Sequence, residues 1–182
     1  EETMTAKLGP ALAQISAWID TLNHKIGRTA AWLALTMVLV QFTVVVLRYV
    51  FGIGSILLQE SILYMHGVLF MMAAADTLLQ DEHVRVDIFY AQASKTRKAL
   101  IDMLGCLFLV LPFCVLLVTV SLDYVSISWS VREGSRETSG IQGVYLLKSV
   151  ILVFAVQMGL QAVSGVIKNA TRVFAKPKGA SQ

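Results

Sequence analysis

Three ionisable residues, Glu60, His66 and Asp76, stand inside the largely apolar run LLQESILYMHGVLFMMAAADTLLQDEHVRVD from Leu57 to Asp87. Two carboxylates and an imidazole in one such segment could relay protons, hold a cation or bond across helices. At about 100° per residue, His66 and Asp76 fall roughly 80° apart around a helix, and Glu60 lies roughly 120° from His66 and 160° from Asp76. They form no single polar stripe, whereas a proton or ion path needs its groups to converge. Separate local roles are the better expectation. A charge at the centre of the hydrocarbon costs about 2.5–3.5 kcal/mol on insertion scales, so each group must be paired, neutral or near an interface. Arg48 closes the preceding apolar run and Gly52 to Ser55 mark a turn. An Arg48–Glu60 ion pair is therefore expected, against the weaker alternative of two side chains snorkelling separately to water. Asp76 falls near the opposite face, where a solvated or capping role is expected. His66 is the deep one, and a neutral imidazole bonding across a helix interface is expected. A haem ligand would want a second axial residue, yet His24 and His83 lie outside the spans.

The elements that carry these residues follow from hydropathy. The 182-residue chain is 56% hydrophobic and 15% charged, with mean hydropathy +0.69. Crossing about 30 Å of hydrocarbon takes roughly 20 mostly apolar residues in a helix, and segments 29–50, 56–79, 99–122 and 143–167 meet that length. The predicted fold is an all-α integral membrane protein, one domain of four transmembrane helices. Ahead of the first span, over about 8–26, Leu8, Leu12, Ile15, Ile19, Leu22 and Ile26 recur at helical spacing, which predicts an amphipathic interfacial helix. The first apolar run is a full span without a signal-type cleavage site, so it is expected to be retained. Ser94 is placed to cap the third helix. Residues 176–182, rich in Lys, Gly and Ser, read as a flexible tail.

Positive side chains near span ends tend to remain cytoplasmic. Lys7, Lys25, Arg28, Arg85, Lys95, Arg97, Lys98, Lys168, Arg172, Lys176 and Lys178 fall on the side of the termini, against Arg48, Arg132, Arg136 and Lys148 on the other. Both termini are expected to be cytoplasmic. A net charge of +3 suits an anionic inner leaflet, and no nucleic-acid partner is needed to explain it. The segments between spans are too short for a soluble domain, and no strand, glycine-rich turn and helix follow in the order a nucleotide fold requires. No catalytic residue, metal site or cofactor is expected. Cys106 and Cys114 sit inside the third span and read as small apolar packing residues. Gly67 with Ala73, Ala74 and Ala75, and Ala155, Gly159 and Ala162, would let helices approach closely, within this chain or against a larger partner.

Arg48, Leu58-Gln59-Glu60, Tyr64, His66, His83-Val84-Arg85-Val86-Asp87, Trp129, Glu133, Ser135, Tyr145-Leu146-Leu147-Lys148 and Gln161 form a pattern that runs from about Gly27 to Lys168. In this pattern the sequence resembles the small membrane subunit, the DctQ-like or Q subunit, of TRAP (tripartite ATP-independent periplasmic) transporters. The likeness implies a non-transporting scaffold in a bacterial inner membrane, neither pump nor enzyme, beside a large multi-span permease that moves sodium and substrate. A periplasmic substrate-binding protein, which commonly captures an organic acid, would dock on the outer surface, and membrane lipids would be further partners. On that footing Arg48 and Glu60 fix the first hairpin, Gln59, Tyr64, His66 and Gln161 serve helix interfaces, and His83, Arg85 and Asp87 anchor the cytoplasmic turn. Arg132, Glu133, Arg136 and Glu137 are the docking candidates, with a plain solvated loop equally open. The competing classes are an autonomous four-helix ion or proton channel, which predicts flux from this chain alone, and a redox membrane anchor, which predicts a haem absorption band.

Overall fold

Helix α1 runs unbroken from Glu2 to Val50, 49 residues, which at 1.5 Å per residue is roughly 70 Å, more than twice the hydrocarbon thickness. The computed structural model describes residues 2–83, 90 and 92–174, with side chains from residue 9 onward. The expected interfacial helix and first span are thus one element. The charged residues scattered before residue 29 give way to a charge-free stretch from Thr29 to Leu47, and nothing at that change stops a helix, because Gly27 keeps helical backbone and is buried. Gly52, in the left-handed region at φ 68°, ends α1, and the Ile53 N–H closes back on the Leu47 carbonyl at 2.9 Å.

Helix α2 (Ile56–Leu79) begins at Ser55, whose hydroxyl accepts from the Leu58 N–H. Helix α3 spans Lys95–Ser130, capped by the Ser94 hydroxyl accepting from the Arg97 N–H. A π turn at Cys106–Val110 interrupts it, ending two residues before Pro112. A proline ring cannot donate to, and collides with, the carbonyl four residues back, and a widened turn relieves both problems. Helix α4 runs Val144–Phe174. Each of the four helices is long and apolar enough to cross a membrane, and no strand occurs among the described residues.

The bundle is open. The two hairpins, antiparallel α1–α2 and α3–α4, make the most extensive contacts, α4 packs against every other helix, and α3 packs extensively only on α4. The buried apolar positions are mostly small, with Ala75, Ala155 and Ala162 at 1% exposure or less, so backbones come close. Large side chains point outward instead, among them Trp32, Phe42, Phe70, Phe108 and Leu109. That inversion suits a chain whose surroundings are hydrocarbon or another membrane subunit.

Candidate functional site

Polar side chains gather at the two ends of the bundle. At the hairpin end, Glu60 sits one turn into α2 and holds the α3–α4 loop. Its carboxylate accepts the Ser135 hydroxyl and, through Oε2, the Ile141 N–H at 2.7 Å. One helical turn on, the Tyr64 hydroxyl donates to the Ile141 carbonyl at 3.3 Å. Gly140 lies so close that a Cβ there would strike both the Ser135 hydroxyl and the Glu60 carboxylate. The expected Arg48–Glu60 pair does not form: Arg48 is exposed, and no ion pair joins it to Glu60 among the described residues. Donors from the folded-back loop already satisfy the carboxylate, which removes the need for a cation. Glu60→Ala is expected to speed amide exchange at Gly140 and Ile141 about tenfold while leaving the spans protected; hydrogen-exchange mass spectrometry reads this directly.

Glu133 anchors the other limb of the loop. Its carboxylate accepts the Ser128 hydroxyl at 2.7 Å and pairs with Lys148, whose ammonium also lies 3.9 Å from the centre of the Tyr124 ring. Trp129 donates its indole N–H to Ser149 at 2.7 Å and meets Tyr145 edge to face, ring centres 4.8 Å apart. Glu133 therefore faces inward and is not a free docking group, whereas Arg132, Arg136 and Glu137 are exposed. The bond from the Lys148 ammonium, with that from Ser128, holds the Glu133 carboxyl below its ordinary range. A depressed carboxyl stabilises the folded loop above its unfolded pKa and loses that contribution as pH falls through the folded value. Trp129 fluorescence, in a background with Trp18 and Trp32 replaced by Phe, is expected to stay constant through neutral pH and change only below the ordinary carboxylate range; Glu133→Gln should abolish the transition.

The opposite, tail end carries a larger network that the sequence reading missed. Asn23 donates to Gln161 Oε1 at 2.7 Å, and Gln161 Nε2 donates to Asp20 at 3.0 Å. Ser164 donates to Asp20 at 2.7 Å and shares a 2.7 Å hydrogen bond with Ser16, while Lys168 pairs with Asp20. Asn23 and Ser164 are wholly buried. The signal was available: Ser16, Asp20 and Asn23 on α1 and Gln157, Gln161, Ser164 and Lys168 on α4 each recur at three- and four-residue spacing, so two matched polar stripes zip together. Gln157, next on the α4 stripe, instead donates to the Met72 carbonyl of α2 at 3.0 Å.

Asp76 is also placed differently from expectation. It is 7% exposed, bonded to His24 at 3.0 Å and to the Gln80 side chain at 2.9 Å, and pressed against Gly27. The long α1 covers it where the sequence suggested open water. His66 is exposed and has no hydrogen bond within the chain among the described residues, so it bridges no helix interface here; the Gln59 side chain is in the same position. Both project from one face of α2 with Ile56, Leu63 and Phe70, all exposed. His83 follows α2 and is half-buried, and Arg85 and Asp87 lie outside the described residues. Among the described residues no three His, Cys, Asp or Glu side chains converge to hold a metal ion.

A protein with four helices long and apolar enough to cross a membrane, whose polar groups clamp helices and a loop, belongs to the class of multi-pass membrane proteins. The family model described as Tripartite ATP-independent periplasmic transporters, DctQ component, matches residues 14–172. The chain belongs to this family and is a TRAP transporter component, the small permease subunit. No curated protein and no solved structure matches it.

Proposed function

We propose that this chain is the static scaffold of a TRAP transporter, holding the large permease subunit through the exposed face of α2 and offering the α3–α4 loop to the periplasmic substrate-binding protein. The observation that carries the reading is the pair of polar side chains without a hydrogen-bond partner among the described residues, Gln59 and His66, on the face that also bears Leu63 and Phe70. Polar groups facing lipid are unfavourable, and interhelical hydrogen bonds in membranes contribute about 1 kcal/mol each. A neighbouring permease helix with matching donors and acceptors satisfies them. Arg132, Arg136 and Glu137 then form the docking rim on a loop already held rigid by Glu60 and Glu133. Sodium coupling and uptake of the solute, an organic acid or related compound, reside in the partner.

The charge distribution supports a cytoplasmic tail end in a bacterial inner membrane, since Lys25, Arg28, Lys168 and Arg172 gather there. An autonomous channel built on Glu60, His66 and Asp76 is disfavoured, because Glu60 is engaged by the loop and Asp76 by His24 and Gln80, at opposite ends of the bundle. Affinity purification from native membranes in mild detergent, with mass identification of the eluate, tests the scaffold. A large permease is expected in stoichiometric amount, and His66→Leu with Gln59→Leu should weaken its retention about thirtyfold, as two lost hydrogen bonds would, without lowering helicity. Elution of the wild-type chain alone as an oligomer that conducts ions would overturn the proposal. Glu60→Gln should weaken assembly more than it alters the sodium dependence of uptake by the intact complex.

A further inference from the structure

On the tail-end half of α1, Lys25 and Arg28 have no carboxylate partner among the described residues. They line an open groove of about 800 Å³ with His24, Trp32 and Leu79. Of its acidic neighbours, Asp20 pairs with Lys168, and Asp76 is buried and hydrogen-bonded to His24 and Gln80. The hydroxyls of Thr21 and Thr29 donate to the carbonyls four residues back, so binding power rests on the two free cations. Lys25, Arg28 and Trp32 stand at i, i+3 and i+7 on one helix face, with Trp32 70% exposed. An indole at this depth belongs at the boundary between headgroups and acyl chains, and a guanidinium can bind a phosphodiester through two parallel N–H bonds.

A second, independent feature adjoins the first. Lys25 and Thr29 also border a groove of about 400 Å³ between α1 and α2, walled by Leu33, Val68 and Met72 and almost wholly apolar. The cationic groove and the apolar groove therefore meet at the same two residues. We propose that this junction is a binding site for one anionic phospholipid, its headgroup phosphodiester on Lys25 and Arg28 and one acyl chain in the α1–α2 groove. A free anion would use only the first groove, and a zwitterionic lipid would bring its own cation against Lys25 and Arg28.

The full-length chain, purified in mild detergent in whatever assembly it elutes and washed free of lipid, is titrated with phosphatidylglycerol or with phosphatidylcholine of the same acyl chains. Adducts are counted by native mass spectrometry. One phosphatidylglycerol is expected to be retained with about tenfold preference. Lys25→Gln with Arg28→Gln should abolish that preference, whereas Lys95→Gln with Arg97→Gln, removing equal charge at the start of α3, should preserve it. Circular dichroism confirms that both variants fold. Inorganic phosphate and glycerol 3-phosphate should fail to displace the lipid. Equal retention of the two lipids, equal loss in both charge variants, or displacement by the soluble phosphates would each overturn the site. The readout needs no permease, so its outcome is independent of the scaffold proposal.

Discussion

Gly27→Ala is expected to destabilise the α1–α2 hairpin by about 1–3 kcal/mol, the usual cost of overpacking a tight contact. A Cβ at residue 27 would lie 2.5 Å from Asp76 Cβ and 2.6 Å from its Oδ2, distances that force atoms apart. The obstruction cannot swing away cheaply. Asp76 is held by His24 at 3.0 Å and Gln80 at 2.9 Å, so either those bonds break inside a buried site or the helices separate along their most extensive contact. A control isolates the effect from helix propensity: Gly105 also lies within a helix, but a Cβ there meets nothing within 4 Å. Gly105→Ala should be neutral or slightly stabilising, because alanine loses less backbone entropy than glycine in a helix. Thermal unfolding of both variants in the same detergent checks the pair. A Gly27→Ala melt that matches wild type would mean the helices are less tightly apposed than this geometry requires.

The four spans were legible because bilayer thickness imposes a length and a composition that few other segments satisfy. The cap at Ser94 was legible for the local reason that a serine side chain can reach only nearby N–H groups. Long-range polar partners were not. Arg48 is the plausible partner for Glu60 when distance along the chain is the guide, yet a backbone N–H such as that of Ile141 carries no residue-type signature and can satisfy a carboxylate equally well. Asp76 was misread for a related cause: whether water or a helix lies beside it depends on how far α1 continues past the membrane face, and a composition change at Gly27 resembles a helix boundary without being one. The α1–α4 polar stripes show the converse. Their spacing was in plain view, but matching one stripe to another requires knowing which helices touch. Gln161 on its own reads as one polar residue in a span.

Gln161→Leu is expected to be among the most destabilising single changes, about 2–4 kcal/mol, because it strands its neighbour and leaves its own volume nearly unchanged. Asn23 is fully buried and, among the described residues, donates only to Gln161 Oε1, while its own Oδ1 has no partner there. Without Gln161 the whole amide would be unsatisfied, at about 1–3 kcal/mol per group. Asp20 would lose one donor but keep Ser164 and Lys168, so it adds little. Asn23→Leu should cost less, since Gln161 would still donate to Asp20. The decisive variant is the double change, Asn23→Leu with Gln161→Leu, which places apolar groups on both sides of the contact and should recover most of the loss, as replacing both partners of a buried hydrogen bond often does. Unfolding by SDS in mixed micelles supplies the four free energies of the cycle. Additive losses would show that the two residues act separately and that the 2.7 Å bond has little influence. Strong recovery would locate the value of the pair in specificity, because two apolar stripes could slide by a turn, whereas an Asn donor and a Gln acceptor meet in only one register of α1 on α4.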